Sequence, residues 1–466
     1  MNPDRPAQGR LASDNGGSSG ARSGADPLSI LGARLIDPVT GTDRVADLHL
    51  ADGRILAIGA APAGFLAERR IDASGLVAAP GLIDLAARLR EPGNEHRASL
   101  ESEMRAAVAG GVTSLVCPPD TDPSLDEPGL VEMLKHRARV LALAHLYPLG
   151  ALTIGLAGER IVEMAELTEA GCVGFSQAHL PVLDTQVLLR AMQYAATFGF
   201  TVWLHPQDPH LGRNGVAHNG AVATRLGLAA VPVISETVAL HTIFELMRAS
   251  GCRVHLCRLS SAAGIELVRA ARRDGLPVSC DVAVHHLHLT DLDIGWFDGM
   301  TRVDPPFRGQ RDRDAIRAAL ADGTIDAICS DHTPVDDDAK LLPFGEAEPG
   351  VTGLELLLPL ALEWARQDGI DLLRLIGLLT RAPAQIIASG LGLSGQEPGF
   401  VGLASGAPAD ICLFDPDEPW VVERAQLFSQ GRNTPWLGRE LLGRVRVTLV
   451  AGRIVHDRLE DAAGSR

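Results

Sequence analysis

Side chains able to do chemistry close several apolar runs of this sequence: His205 in FTVWLHPQD, Arg258 in RVHLCRLSS, Asp331 in DAICSDH, and the adjacent imidazoles His285 and His286 in DVAVHHL. Neighbouring imidazoles suggest a metal. Successive residues of a strand, however, project to opposite faces, so His285 and His286 read as packing groups rather than as ligands of one ion. Amine chemistry has little to draw on. Of 42 basic residues only Lys135, in the helix-like EMLKHRARV, and Lys340, after the acidic triplet in DDDAK, are lysines. The seven cysteines (Cys117, Cys172, Cys252, Cys257, Cys280, Cys329 and Cys412) form no C-x-x-C and mostly sit inside apolar runs, the pattern of buried thiols in a reducing compartment.

The elements that position these groups follow from the alternation of apolar and polar residues. Eight segments read as strands: LVAAPGLIDLAARL, TSLVCPP, LALAHLYPLGA, GCVGFS, FTVWLHPQD, RVHLCRLSS, VSCDVAVHHL and DAICSDH. Between them lie amphipathic stretches such as SLESEMRAAVAGG, TQVLLRAMQYAATFG, SETVALHTIFELMRASG and RDRDAIRAALADG, several ending in the glycine that stops a helix. Eight strands with intervening helices over about 250 residues is the arithmetic of a (β/α)8 barrel, whose functional groups gather at the C-terminal ends of the strands. A doubly wound sheet is the alternative.

Residues 27–78 instead show short alternating segments, with Asp52-Gly53 where a tight hairpin turn belongs. Residues 391–458 return to that pattern in ADICLFDP, WVVE and GRVRVTLVAGRIVHD, which are expected to pair with the first module. The expected fold is therefore α/β: a TIM-type barrel over 79–390 with a small β-sandwich built from both chain ends. Residues 1–26 and 459–466 have almost nothing to bury and read as tails.

Composition narrows the function classes. The chain has 466 residues, 46% hydrophobic and 21% charged, but only 4% aromatic, so its core must be mostly Leu, Ala, Val and Ile. A net charge of −16 without a dense Lys/Arg run argues against nucleic acid, whose phosphates require a basic stripe. No run of about 18 uncharged apolar residues and no apolar signal core is evident. A cytoplasmic protein with no membrane partner is expected.

The segment PGLIDLAARLREPG, Pro80 to Gly93, followed by EHRASLESEMRAAVAGGVTSLVCPPDTDP, resembles the dihydroorotase signature PGLIDxHxHLREPG and GGxTxxxxMPNTxP. The likeness recurs at GCVGFS, SDHTP, PFGEAEPGVTGLE, SGAPADICLFDP and GRNTPWLGRELLGRVRVTLVAGRIV, and so covers residues 27 to 458. It implies the barrel-and-sandwich layout of the amidohydrolase superfamily and a zinc site at the strand ends. It also shows what this chain lacks. The two histidines of the first strand are Ala86 and Arg88. Where the fourth strand should bring a carboxylated lysine or an aspartate stand Gln177, Ala178 and His179, with neither lysine near. The sixth-strand histidine is Arg258. Only His205, for the fifth strand, and Asp331, for the proton-shuttling aspartate of the eighth, remain as vestiges. A methyl group has no electron pair to donate, and a guanidinium is a permanent cation that repels a divalent ion. With Arg88 and Arg258 both expected in the barrel mouth, Asp331 is expected to pair with arginine instead.

The substrate positions are altered too. Arg90 matches the arginine that holds the substrate carboxylate, but the companion asparagine is Asp120, whose charge would oppose that carboxylate, and the histidine of DHAPH is Val335. Arg90 thus reads as a fixed structural arginine. Related active enzymes carry a histidine pair outside the metal shell where His285 and His286 stand, and His210 and His218 fall in a segment that is flexible in the family and are expected to be exposed. The resemblance implies a non-catalytic homologue of pyrimidine biosynthesis, with no cofactor, that associates as a hetero-oligomer with the catalytic chains of aspartate carbamoyltransferase; a self-dimer is also compatible. The competing readings are a divergent dihydroorotase or hydantoinase-like amidohydrolase with zinc held by His205, Asp331 and a newcomer such as His179, and an assembly protein unrelated to pyrimidines.

Overall fold

The computed structural model describes residues 25–390 and 402–459. Residue 391, where the second sandwich segment was expected to begin, and nearly all of the expected tails lie outside these residues.

The N-terminal segment forms β1 (Leu28–Asp37), β2 (Thr42–Ala51), β3 (Arg54–Ile58), β4 (Arg69–Asp72) and β5 (Val77–Pro80). The β2–β3 turn is Asp52-Gly53, with φ of 52° and 75°. Left-handed backbone at both central positions is what a tight two-residue hairpin requires and what this residue pair tolerates. Strand β1 pairs antiparallel with β2 and parallel with β4 and β5.

The barrel follows. Its strands are β6 (Leu82–Asp84), β7 (Val112–Cys117), β8 (His145–Pro148) continued by β9 (Gly150–Ala151), β10 (Phe175–Ser176), β11 (Thr201–Leu204), β14 (Arg253–Leu256), β15 (Val278–Ala283) and β16 (Ala327–Cys329). The short parallel pair β12 (Ala217–His218) and β13 (Ala230–Val231) belongs to the excursion after β11. All barrel pairings are parallel. The ring closes past β16 and β6, where Arg88 N–H donates to the His332 carbonyl and His332 N–H to the Ala86 carbonyl, each at 2.9 Å.

Inside, Ile83, Leu85, Val116, Leu149, Val173, Trp203, Ala283, Ala327 and Cys329 form a packed core together with Ala384, Ile386 and Ile387 of the helix Arg381–Gly390. That helix plugs the N-terminal end of the strands: Gly390 lies directly against the Val173 carbonyl, and Arg253 donates to the Ser389 carbonyl at 2.5 Å. The stretch Leu372–Gly390 is long and apolar enough to cross a membrane by composition. It is interrupted at Thr380, carries Arg374 and Arg381, and is more than half buried as this plug and its neighbour.

Strands β17 (Ile411–Val421), β18 (Glu440–Val450) and β19 (Arg453–Asp457) return to the first module, β17 pairing antiparallel with β5. The resulting order, β19-β18-β17-β5-β1-β2-β3 with β4 beside β1, wraps a core of its own containing Ile30, Leu35, Leu48, Ile71, Leu413 and Leu449. One expectation is corrected here. LVAAPGLIDLAARL is not a single strand but two, β5 in the sandwich and β6 in the barrel, divided at Gly81. A Cβ on Gly81 would sit 2.1 Å from Thr113 Oγ1, so only glycine lets the chain pass that close as it crosses between modules. Apolar residues run up to Gly81 and resume directly after it, so periodicity alone does not reveal the break.

Candidate functional site

The strand ends opposite the plug carry the residues singled out above. Arg88, Arg90, Asp120, His179, Arg258 and Asp331 line one cavity of about 270 Å³, joined by Asp304, Thr333 and Glu348 from the loops above. An alternating chain of charge runs across it. His179 Nδ1 lies 3.5 Å from Asp120 Oδ2, which accepts from Arg88 Nε at 2.7 Å. Arg88 Nη1 donates to Thr333 Oγ1 at 3.1 Å and lies 3.6 Å from Asp331 Oδ1. The same Asp331 oxygen accepts from Arg258 Nη1 at 3.1 Å, and Arg258 also donates to the Asp304 carbonyl at 3.1 Å. Arg88, Arg258 and Asp331 are all buried.

Electrostatics among such buried groups pull in opposite directions. Burial lifts the Asp331 carboxyl above the ordinary aspartate value against the pull of Arg258 and Arg88. For Arg258, burial is outweighed by Asp331 and the cation is reinforced. A guanidinium has no accessible neutral form, so two of them within 3.6 Å of one carboxylate oxygen favour the ionised aspartate and a charged cluster. Asp120 is driven well below the usual range because its burial is outweighed by Arg88 and His179.

Local backbone and buried partners fix this geometry. Arg258 and Asp331 have φ of 59° and 49°, left-handed values that non-glycine residues adopt only when surroundings enforce them. Arg258 N–H is held by Asp281 Oδ1 at 2.6 Å. Around Asp331, Ser330 donates to Asp84 through its backbone at 2.7 Å and its hydroxyl at 2.5 Å. His332 Nδ1 accepts from Gly353 N–H at 3.1 Å, so its Nε2 carries the proton it donates to Glu103 at 2.6 Å. Glu103 also accepts from Ser429 Oγ and Gln430 N–H.

Other residues fall elsewhere. His205 lines a separate cavity of about 160 Å³ with Leu180, Val182 and Leu183, its ring nitrogens 3.3 Å from the Cys257 carbonyl and from Gln207 Oε1. Burial, reinforced by Arg258, lowers it to about 4. The two vestigial ligands, His205 and Asp331, therefore line different cavities. Gln177 is committed to the Leu156 carbonyl at 2.7 Å and Thr153 at 3.0 Å, and Ala86 serves through its carbonyl. Arg90 Nε is fixed on the Pro334 carbonyl at 2.9 Å, its side chain lowered to about 10 by burial and Arg88. Val335 N–H is bound by Asn433.

His285 and His286 lie in a 3₁₀ turn, Val284–Leu287, rather than on a strand, which removes the strand-face argument. They still diverge: His285 Nδ1 accepts from Trp436 Nε1, while His286 faces the Pro305 carbonyl and Phe307. His210 is exposed, but His218 is partly buried in β12, contrary to expectation, because the β12–β13 pair folds that segment down. Lys340, after the acidic triplet, is buried and donates to the Gly299 and Arg302 carbonyls at 3.2 and 2.9 Å.

The zinc implied by the family does not fit these residues. Four of its positions offer a methyl, two guanidiniums and an amide already engaged, and the two donors left, His205 and Asp331, are fewer than the about three protein donors that a catalytic zinc needs. Sequence reasoning missed one further group. His255, Cys257 and Asp281 bring ligand-type atoms within 4.8 Å of one another beneath the cavity. Their atoms already serve each other: His255 bridges Asp281 at 3.0 Å and Ser279 at 2.9 Å, Asp281 holds the Arg258 backbone, and burial keeps the Cys257 thiol protonated. Asp120 and Glu103 were also missed as partners of Arg88 and His332, from which they are 32 and 229 residues distant. The Asn-to-Asp change at 120 beside a new arginine at 88 was the available signal for the first.

Comparison with known proteins gives a consistent picture. The family described as dihydro-orotase-like matches residues 75–263. A dihydroorotase-like protein of Pseudomonas putida is 48% identical over 429 residues, 92% of this chain and 99% of its own length. One of Pseudomonas aeruginosa is 46% identical over 430 residues, with the same coverage. A dihydroorotase of Anaeromyxobacter dehalogenans is 39% identical over 441 residues, 94% of this chain and 99% of its own length. Among solved structures, the L-hydantoinase (dihydropyrimidinase) from Arthrobacter aurescens superposes with a TM-score of 0.80 at 24% identity, covering 93% of this chain and 96% of that one. At that identity the likeness speaks to fold alone.

Two outcomes follow, one from the charge network and one from buried histidines. Asp331→Ala leaves the buried Arg258 without its carboxylate and should destabilise the protein by about 3–5 kcal/mol, whereas the double change Arg258→Met with Asp331→Leu should be near neutral. Urea unfolding of the variants measures this; an unshifted midpoint for Asp331→Ala would remove the structural role. Burial also lowers His286 and His288 to about 4. Their neutral forms then add stability that is fully present above about pH 6.5 and is lost as pH falls toward about 4, since the unfolded chain takes up the proton first. For His286 this is about 3 kcal/mol at 1.36 kcal/mol per unit. The urea midpoint should therefore drop between pH 7 and 4.5, and drop less in His286→Gln; identical pH profiles would refute it.

Proposed function

The chain belongs to the dihydroorotase-like family, and from that premise we propose that it is a non-catalytic member that scaffolds or stabilises aspartate carbamoyltransferase in pyrimidine biosynthesis. The observation that carries the reading is the cluster Arg88–Asp331–Arg258. Amide hydrolysis at neutral pH needs a hydroxide, and a divalent ion supplies one by lowering the pKa of bound water from 15.7 to about 7. Two buried cations at the positions of electron donors work against such an ion, and the one carboxylate left is occupied in neutralising them. Asp120, paired to Arg88, adds negative charge where a substrate carboxylate would be held.

Two features favour a binding role over simple decay. The barrel, plug and sandwich are intact around the altered mouth, so shape has been kept where chemistry was dropped. Relatives at 46–48% identity bear the name dihydroorotase-like, while those at 39% bear the name dihydroorotase. On this reading the protein works in the cytoplasm, as a hetero-oligomer with the transferase catalytic chains, alone or as a self-dimer between encounters. A second reading, a divergent metal-dependent cyclic amidohydrolase, draws on the donor atoms of His255, Cys257 and Asp281 within 4.8 Å.

Expression of the chain alone and together with its cognate transferase separates the two. Metal analysis should find zinc far below one equivalent. Neither dihydroorotate nor hydantoin should be turned over, and the co-expressed chains should elute as one assembly of defined mass. Near-stoichiometric zinc with turnover that vanishes in Asp331→Ala would establish the second reading, and separate migration of the two chains would remove the partner.

A further inference from the structure

The loops above the barrel mouth carry an apolar surface for which the chain itself has no use. Trp296 is 88% exposed, the most exposed large hydrophobic side chain among the described residues, and Leu292 and Phe297 stand beside it at 61% and 39%. Leu341 and Leu342, at 78% and 47%, come from the loop after β16. The two loops touch. A Cβ on Gly299 would lie 2.3 Å from the Lys340 carbonyl, and Lys340 Nζ reaches back to the Gly299 and Arg302 carbonyls. The five exposed side chains therefore stand on two loops joined at Gly299 and Lys340, an apolar patch beside the cavity that Asp304 and Glu348 of the same loops line.

The patch is built rather than loose. Asp293 Oδ2 accepts from Thr290 N–H at 2.8 Å, Asp298 N–H donates to the Ile294 carbonyl at 2.9 Å, and Asp298 Oδ1 accepts from Met300 N–H at 3.0 Å. Trp296 and Phe297 rest edge to face at 5.9 Å. Phe297 has φ of 63°, a left-handed value that is costly for a bulky residue, and it is held there without gaining burial. A large aromatic displayed on a loop already ordered loses little entropy on association, which is the property of an interface anchor.

Charge selects the occupant. Across residues 290–301 and 336–348 the sole basic side chain is Lys340, which is buried, whereas Asp298, Asp337, Asp338 and Glu346 are exposed around the apolar centre. Asp337 is paired with Arg424; the other three face outward without an ion pair among the described residues. A second copy presenting the same face would set acid against acid, and an anionic membrane would be repelled in the same way. We propose that the Trp296 patch docks a protein partner that presents an apolar pocket rimmed by arginine and lysine. The proposal rests on the reading that this chain assembles with aspartate carbamoyltransferase, and it names the face that does so.

The test mixes the purified full chain with purified cognate transferase catalytic chains, measuring mass by light scattering and affinity by titration. Trp296→Ala should weaken assembly at least about thirtyfold, as loss of a central aromatic anchor does. Asp338→Lys combined with Glu346→Lys should also weaken it, and raised salt should weaken the unaltered pair. Leu66→Ala, an 80% exposed residue of the sandwich, should change nothing. All variants replace exposed side chains, and unchanged thermal midpoints verify their folding. If the unaltered chains assemble and Trp296→Ala binds equally well, the docking face is wrong while the partner stands. If the unaltered chains do not assemble, the partner reading fails and this inference with it. If the chain alone is a dimer that Trp296→Ala converts to monomer, the patch is a self-interface and the proposal is overturned.

Discussion

Two guanidiniums sharing one carboxylate at the mouth of a closed barrel are the constraint around which the rest of the site is arranged. Arg88 and Arg258 arrive from strands on different sides of the ring, and both approach Asp331 Oδ1, at 3.6 and 3.1 Å. Neither can shed its charge, so burial is tolerable only while each retains a partner. Asp120 takes up the second edge of Arg88 and the Asp304 carbonyl takes up Arg258. The cavity is thus lined by a network of buried charges that balance one another. Such a pair is weak evidence of added stability, because desolvation offsets the attraction; its consequence is that no single member is dispensable.

The network beneath the mouth explains how the barrel accommodates this exchange without losing its shape. Asp281 and His255 anchor the backbone that delivers Arg258, while Asp84, Ser330, His332 and Glu103 anchor the backbone that delivers Asp331. These polar groups are buried and satisfied by one another, and none of them needs an ion to be so. Ligand positions at strand ends are therefore free to change in chemical type while strand order, the plug helix Arg381–Gly390 and the sheet from both chain ends stay in place. Fold and activity rest on different residues, which is why a likeness of fold cannot by itself decide activity.

Much of this was legible in the sequence because it depends on residue type or period. The eight strands, the Asp52-Gly53 turn and the missing electron donors at Ala86, Arg88 and Arg258 are of that kind. What was not legible depends on where distant segments meet. Alternation assigns a side chain to the inside of the barrel but not to one cavity or another, so His205 and Asp331 looked like one remnant site and line two. Glu103 sits on an amphipathic helix among other acids, and only its contact with His332, from the far side of the ring closure, singles it out. Lys340 follows three aspartates, the usual mark of a solvated loop, yet two carbonyls of the preceding loop draw it inside.

The fate of Lys340 links the altered cavity to the outer surface. In a barrel that admits substrate, the loops after the last strands must leave a path to the mouth and commonly move to do so. Here the loop after β16 is stitched to the loop after β15 by the buried Lys340 amine, which donates to the Gly299 and Arg302 carbonyls and which burial, with the nearby Arg302, lowers to about 7. Opening either loop would expose the cavity but break both contacts. The same contacts tie together the two loops that carry Trp296, Phe297 and Leu341, whose side chains face solvent. A surface held in one arrangement loses little entropy when it associates, and under the proposed scaffold role the altered mouth and the apolar side chains displayed above it would serve the same use.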